Sequence, residues 1–96
     1  MMIILTYDVN VTTESGNRRL RKVAKLCENY GIRVQNSVFE LLVDNAQFIT
    51  IKSKILSIID KDCDSVRYYK LGSNWSNKIE IIGKNTIVQQ DGTLIL

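Results

Sequence analysis

A carboxylate and a dense group of cations are the side chains of this chain best suited to chemistry. Asp8 ends the first apolar run, in the stretch TYDV. A carboxylate can help to hold a divalent cation, and a local excess of cations suits a polyanion. Six of the thirteen Lys and Arg residues fall between positions 18 and 33, with Glu28 as the only acid among them: Arg18, Arg19, Arg21, Lys22, Lys25 and Arg33.

The absence of histidine excludes several classes of enzyme. A chain without histidine has no Ser-His-Asp triad, no His-ligated metal and no imidazole base near neutral pH. Cys27 and Cys63 lie far apart and show no zinc-site spacing, so both are expected to be small buried thiols. Any catalysis must therefore use carboxylates, lysines, tyrosines or a metal.

Composition indicates one ordinary globular domain. The chain has 96 residues, of which 45% are apolar and 24% charged, with no proline and a net charge of +3. Its start, MMIILTYDV, has no basic region and only a short apolar run, so it predicts neither a secretory signal nor a membrane span. We therefore expect a cytoplasmic protein that does not enter a membrane.

The first half of the chain predicts a strand, a helix and a long extended run. Ile3 to Val9 is rich in β-branched and aromatic residues and is too short for a helix. Ile32 to Val43 predicts a second strand run, long enough to contain a bend or a bulge. Between them, a helix that stops at Gly31 is predicted by apolar residues at helical spacing, backed by cations: Leu20, Val23, Ala24, Cys27 and Tyr30.

The second half predicts a helix, two strands and a tail. Asp44 or Asn45 caps a helix that carries Phe48, Ile51 and Ile55 on one stripe. Ser65 to Leu71 and Lys78 to Ile82 are the third and fourth strands, and two short extended runs follow. We interpret the order as βαββαβ plus a C-terminal strand. This is an α+β, ferredoxin-like arrangement, with an antiparallel sheet carrying both helices on one face. One domain spans 1–96, with a core over 1–84 and a tail over 85–96.

The first strand carries apolar residues on both of its faces. Ile3, Leu5 and Tyr7 alternate with Ile4 and its neighbours, whereas two helices can cover only one face. The uncovered face needs a partner, and the simplest is a second copy of the chain across a two-fold axis. We therefore predict a homodimer, in which the apolar tail could extend the sheet edge of the neighbouring subunit.

Several motifs in series resemble one family. TYDV, the basic helix GNRRLRKVAK, YGIRVQNSVFE and DSVRYYKLG resemble, in order and spacing, the Cas-two family, the small core protein of CRISPR spacer acquisition in antiviral defence. The resemblance implies a ferredoxin-like homodimer that bridges two dimers of the Cas-one integrase and holds duplex DNA to be inserted as a spacer. Members are also assigned metal-dependent endonuclease activity, on RNA or on double-stranded DNA.

Asp8 matches the aspartate at the end of the family's first strand. One carboxylate is a poor magnesium site, because magnesium prefers octahedral oxygen coordination. In a dimer, two Asp8 side chains near the axis could hold one magnesium ion and orient water against a phosphodiester. Alternatively, Asp8 only ends the strand and accepts N–H bonds from the turn VNVTT. The residues alone favour neither interpretation. The resemblance favours Asp8 as the metal-binding residue and makes it the candidate catalytic residue of a nuclease, but it does not favour catalysis as the physiological role.

The cations of the first helix also have two interpretations. A basic outer face is often only solvated, but the near absence of acids and the doubling of the patch in a dimer favour phosphate binding. Arg18 and Arg19 lie near the helix start, where the dipole disfavours cations. We predict sequence-independent contacts with the nucleic-acid backbone.

The remaining polar and aromatic residues have weaker assignments. Asn36 and Ser37 could support a metal-bound water, or simply be polar strand residues that face solvent. Trp75 either covers the sheet edge or contacts a partner. Packing rather than base stacking is expected of the other rings: Tyr7, Tyr30, Phe39, Tyr68 and Tyr69.

Three functions are compatible with these observations. The first is a basic scaffold that bridges integrase subunits and binds duplex DNA, and the second is a magnesium-dependent phosphodiesterase centred on paired Asp8 residues. A ferredoxin-like metabolite-binding regulator is a third, but it rests on fold analogy alone and would have no need for the arginine run.

Overall fold

The computed structural model describes residues 1–83, which form a four-stranded antiparallel sheet and two helices. The strand order is β2-β3-β1-β4, so the predicted α+β class is confirmed. The predicted tail after position 84 lies outside the described residues. The elements are β1 Met2–Asp8, α1 Glu14–Glu28, β2 Gly31–Gln35, β3 Val38–Leu42, α2 Asn45–Ile58, β4 Ser65–Gly72 and a 3₁₀ turn Trp75–Asn77.

Two of the strand predictions were wrong. The run from Ile32 to Val43 is a hairpin, because Asn36 and Ser37 form a turn between β2 and β3. Turn-forming residues at its centre outweigh the apolar character of its two arms. Lys78 to Ile82 is not a strand in the described chain, since an extended apolar run forms a ladder only beside a partner strand.

The core lies between the sheet and the two helices. Alternate residues of β1 point into it, and Ile3 and Leu5 are completely buried. Cys27 of α1 is also buried, and burial raises the pKa of its thiol to about 12. Cys63 is exposed in the turn before β4, so its predicted burial was wrong. Neither helix in residues 1–83 has the length and hydropathy to cross a bilayer.

The opposite sheet face is not covered by the helices. We call it the open face, and strand register assigns its residues. Burial raises the pKa of Glu40 at its centre. Tyr69 is 48% exposed there, although it was expected to pack in the core. The face includes Met2, Ile4, Thr6 and Asp8 of β1, Ile32 and Gln35 of β2, Val38, Glu40 and Leu42 of β3, and Ser65, Arg67 and Tyr69 of β4.

Local capping interactions start both helices. The Thr13 hydroxyl accepts a hydrogen bond from the Gly16 N–H (3.1 Å), and Asp44 caps α2, as predicted. A Cβ at Gly16 would overlap the carbonyl oxygen of Asn10, so the loop after β1 packs directly on the first turn of α1. Gly31 begins β2 instead of terminating α1.

Candidate functional site

Asp8 lies at the end of β1 in a shallow polar pocket on the open face. The β1–β4 register places Asp8 opposite Ser65, and Thr6 opposite Arg67. Cross-strand neighbours of this kind lie close enough for their side chains to act on one ligand. We call the resulting cavity of about 260 Å³ the Asp8 pocket; it is lined by Thr6, Tyr7, Asp8, Ser65, Arg67 and Tyr69.

The Asp8 carboxylate forms no hydrogen bond or ion pair with any of residues 1–83. Other oxygens accept the bonds of the turn that follows: the Thr12 N–H donates to Asn10 Oδ1 and the Asn10 N–H to Asp64 Oδ1, both at 3.0 Å. The alternative interpretation, in which Asp8 accepts N–H bonds from the turn VNVTT, is therefore wrong. Both carboxylate oxygens remain open to a ligand.

A metal at this position would have few protein ligands. Within residues 1–83, no group of three or more Cys, Asp or Glu side chains is arranged to hold an ion. Magnesium is commonly held by one or two carboxylates together with water and substrate phosphates. The single Asp8 carboxylate fits magnesium only if a phosphate or the carboxylate of a second copy completes the ligand set.

The Asn36–Ser37 turn lies at the same end of the sheet as Asp8. The Tyr7 N–H donates to the Ser37 carbonyl oxygen (3.1 Å), and the Tyr7 hydroxyl donates to the Asn36 carbonyl oxygen (3.1 Å). The two residues are thus a turn beside Asp8 rather than strand residues. Their support of a metal-bound water stays a prediction.

Four of the six predicted nucleic-acid contacts form one surface. Arg18, Arg21, Lys22 and Lys25 follow helical spacing on the exposed side of α1 and line a shallow groove. Throughout the described chain, no carboxylate lies within 4.0 Å of any of their charged groups. We call these four residues the basic surface. Their positive charge is available to a ligand from solution.

Arg19 has a different environment from its neighbours on α1. Its Nε donates to Asp64 Oδ2 at 2.7 Å and one terminal nitrogen donates to Asp64 Oδ1 at 3.3 Å. The Asp64 side chain has no exposed surface. Because its guanidinium is held by a buried carboxylate, Arg19 is less suited to bind phosphate than the basic surface is.

Asp64 also joins three separate chain segments. Besides Arg19, its carboxylate accepts the N–H groups of Asn10 (3.0 Å) and Asp60 (2.9 Å). These bonds to the charged form, above all the one from Arg19, hold the pKa of the carboxyl well below its usual range. Asp64 thereby fixes the loop after Asp8 against α1 and the turn before β4. Nothing in the spacing of this acid along the sequence distinguishes it from Asp60 or Asp62.

Arg33 lies away from the basic surface. Its guanidinium is 5.1 Å from the centre of the Phe39 ring and 3.6 Å from a carboxylate oxygen of Glu28. Such contacts orient an arginine and offset part of its charge. Its predicted nucleic-acid contact is therefore not continuous with that of α1.

Comparison with known proteins gives the family. Residues 1–79 match the family model described as CRISPR associated protein Cas2. The chain belongs to the Cas2 family. It is 51% identical over 96 residues to "CRISPR-associated endoribonuclease Cas2" of Chlorobaculum tepidum, with full coverage of both chains. It is 47% identical over 95 residues to "CRISPR-associated endonuclease Cas2" of Halalkalibacterium halodurans, with 99% of each covered.

A solved Cas2 structure has the same fold. The crystal structure of Streptococcus pyogenes Cas2 at pH 6.5 superposes with a TM-score of 0.75 at 54% identity, covering 86% of this chain and all of that one. The span matched by the Cas2 family model contains both helices, all four strands, the Asp8 pocket and the basic surface. The resemblance inferred from the sequence motifs is confirmed.

Proposed function

We propose that this Cas2-family chain acts in CRISPR spacer acquisition as a cytoplasmic homodimer that binds duplex DNA and bridges two dimers of the Cas-one integrase. The observation that supports this proposal most strongly is the basic surface on α1. Its four cations share one exposed helix face without acidic partners in residues 1–83. Such a surface attracts the phosphate backbone and has no means of distinguishing bases.

The length of the basic surface suits the spacing of duplex DNA. From Arg18 to Lys25 the helix rises about 10 Å, which corresponds to roughly three base-pair steps at about 3.4 Å each. Each protomer can therefore contact about four phosphates, one for each cation. A dimer would engage about eight.

The basic surface and the Asp8 pocket lie on opposite sides of the sheet. Helix α1 packs on the face formed by Ile3 and Leu5, and the basic surface is on the outer side of that helix. Asp8 faces the other way. A duplex held by α1 is thus separated from the Asp8 pocket of the same protomer by the helix and the sheet, which favours a scaffold over an enzyme acting on the bound duplex.

The open face supports the proposed dimer and gives a test. Ile4, Val38 and Leu42 lie on it without cover from the helices, and burying such a surface against a second copy is favourable. We expect sedimentation to show a dimer at micromolar concentration, and Ile4→Lys to shift it toward monomer because a charge would then lie in the interface. A wild-type monomer at that concentration would exclude the bridging role.

The salt dependence of duplex binding tests the basic surface. With about eight phosphates engaged, the slope of log K against log salt should be roughly −7. Arg18→Ala should reduce its magnitude by about 2, because each of the two protomers loses one contact. Arg19→Ala is the matched control, since Arg19 is bonded to Asp64, and should leave the slope almost unchanged. Binding can be measured by fluorescence anisotropy on unrelated duplex sequences.

Two outcomes would contradict the assignment of the basic surface to the phosphate backbone of duplex DNA. If Arg18→Ala leaves the slope unaltered, the basic surface is only a solvated helix face. If different duplex sequences bind with very different affinities, contact with the backbone alone is wrong. Bridging needs its own measurement, which is the recovery of both integrase dimers on one tagged Cas2 dimer.

A magnesium-dependent endonuclease is the second candidate function. The unpaired Asp8 carboxylate in an open pocket supports it, as do the endoribonuclease and endonuclease names of the relatives. Asp8, paired with its copy across the dimer axis, would hold the ion, which would supply charge stabilisation and an activated water. RNA and double-stranded DNA are both candidate substrates.

A further inference from the structure

A groove with apolar walls lies between α2 and the edge strand β4, on the side of the sheet that carries the helices. We call this cavity of about 390 Å³ the α2 groove. Leu56 lines it and is 58% exposed, and Ile49, two helical turns earlier on the same side of α2, is 63% exposed. Continuous exposed apolar surface of this kind marks an interaction site. The apolar walls comprise Ile55, Leu56, Ile59, Val66 and Tyr68.

Lysines without acidic partners border the α2 groove. Lys52 and Lys61 line it. The ammonium groups of Lys52 and Lys70 lie 4.5 and 5.4 Å from the centre of the same Phe48 ring, so Lys70 adds a third cation beside the groove. No carboxylate of residues 1–83 lies within 4.0 Å of these three ammonium groups. Asp64 also lines the groove, but its side chain has no exposed surface. The α2 groove therefore combines apolar walls with positive charge.

We propose that the α2 groove binds the integrase, through an apolar segment of that partner that carries carboxylates. Burial of the segment against Leu56 and Val66 would supply the affinity, and its carboxylates would pair with the lysines at the border. The Tyr68 hydroxyl forms no hydrogen bond with any of residues 1–83. Burial raises the pKa of Tyr68 to about 12, so this hydroxyl stays protonated and can donate to the same carboxylates.

This proposal rests on the bridging function and assigns the surface that the integrase contacts. The proposed dimer covers the open face, and the duplex occupies the basic surface, so the α2 groove is left free by both. Two-fold symmetry duplicates any site away from the axis, and a dimer therefore presents two such grooves, one for each integrase dimer. Because α1 and α2 pack on the same face of the sheet, an integrase in the α2 groove lies on the side that holds the duplex.

Calorimetric titration of the full-length chain with purified Cas-one integrase from the same organism, without DNA, tests the site. Lys52→Glu should weaken binding about tenfold or more, which is at least ~1.4 kcal/mol, because it replaces an attractive charge by a repulsive one. Lys52→Arg should retain most of the affinity, since it keeps the positive charge. Leu56→Ser should also weaken binding about tenfold, because it removes apolar surface that the partner would bury.

Lys54→Glu is the matched control on the other side of α2. It makes the same reversal of charge, but the Lys54 ammonium group lies 5.8 Å from the centre of the Tyr30 ring and does not line the α2 groove. Binding of the integrase by Lys54→Glu should equal that of wild type. All three exposed positions should tolerate substitution, and urea denaturation of each variant verifies that it folds.

Several outcomes would overturn this site. The proposal is wrong if Lys52→Glu or Leu56→Ser binds the integrase as tightly as wild type, or if Lys54→Glu weakens binding as much as Lys52→Glu. A shift of Leu56→Ser toward monomer in sedimentation would assign the groove to a second copy of the chain. A larger loss of duplex affinity in Lys52→Glu than in Lys54→Glu would assign it to DNA. Wild type that binds no integrase contradicts the bridging function itself, whereas unaffected variants of a binding wild type contradict only the α2 groove.

Discussion

Asp8→Asn is expected to reduce metal-dependent phosphodiester cleavage by about a hundredfold or more. An amide is a weaker ligand for magnesium than a carboxylate and cannot offset the charge of the ion. The substitution nearly preserves shape, and the Asp8 carboxylate makes no hydrogen bond or ion pair with residues 1–83 that the fold would lose. Folding and dimerisation should therefore persist.

Cleavage of labelled RNA and of double-stranded DNA, with magnesium and with EDTA, measures the effect. Glu14→Gln makes the same change of carboxylate to amide at an exposed position of α1 and should retain activity. If Asp8→Asn cleaves as fast as wild type, the observed nuclease activity does not come from this pocket.

The same variant separates the two candidate functions. Duplex binding should be unaffected by Asp8→Asn, because the basic surface lies on the other side of the sheet. In the scaffold function the integrase carries out the chemistry, so spacer insertion by the complete complex should also persist. Loss of insertion by an Asp8→Asn dimer that still folds, binds DNA and recruits the integrase would make the chemistry of Asp8 the main function.

The spacing of apolar residues was sufficient to predict the elements that pack against the core. The alternation of β1 and the helical spacing on α1 and α2 are direct consequences of burial on one side. The hairpin between β2 and β3 was not recognised, because Asn36 and Ser37 interrupt an otherwise continuous apolar run. Lys78 to Ile82 shows the opposite kind of error. Its residue pattern is typical of a strand, but a strand forms only when another strand is available to pair with it.

The site was predictable where it depends on local spacing and not where it depends on distant contacts. The basic surface follows from four cations on one helical face, and the exposure of Asp8 follows from its position at the strand end. The Arg19–Asp64 ion pair joins residues 45 positions apart, and no local pattern relates them. Arg67 was likewise overlooked, because only the β1–β4 register brings it into the Asp8 pocket.

Asp64→Asn is expected to lower the free energy of unfolding by about 2 kcal/mol at pH 7. The substitution removes the charge that Arg19 and two backbone N–H groups bond to. Breaking a buried pair can cost more, but Arg19 is 17% exposed and can recover part of the loss by binding water. Urea denaturation at one fixed protein concentration measures the change, since dimer stability depends on concentration.

The pH dependence of the free energy of unfolding tests whether the negative charge of Asp64 causes this stabilisation. The pKa of Asp64 in the folded chain lies below its ordinary value of 3.8, so the unfolded chain takes up a proton first as the pH falls. The stabilisation by Asp64 is therefore fully present above about pH 5 and is lost progressively at lower pH. The difference in free energy of unfolding between wild type and Asp64→Asn should decrease steadily from pH 5 to pH 3.

Asp62→Asn supplies the matched control for this prediction. Asp62 is exposed in the same turn and has no ion pair within residues 1–83, so its substitution changes net charge equally and should cost much less stability. A similar loss in both variants would indicate a general charge effect of the turn. A difference between wild type and Asp64→Asn that stays constant down to pH 3 would mean that the Asp64 carboxylate is not stabilised in its charged form. If the Arg19–Asp64 ion pair is instead the cause of the stabilisation, Arg19→Ala should not lower the free energy of unfolding further in an Asp64→Asn background, because the two residues act as one unit.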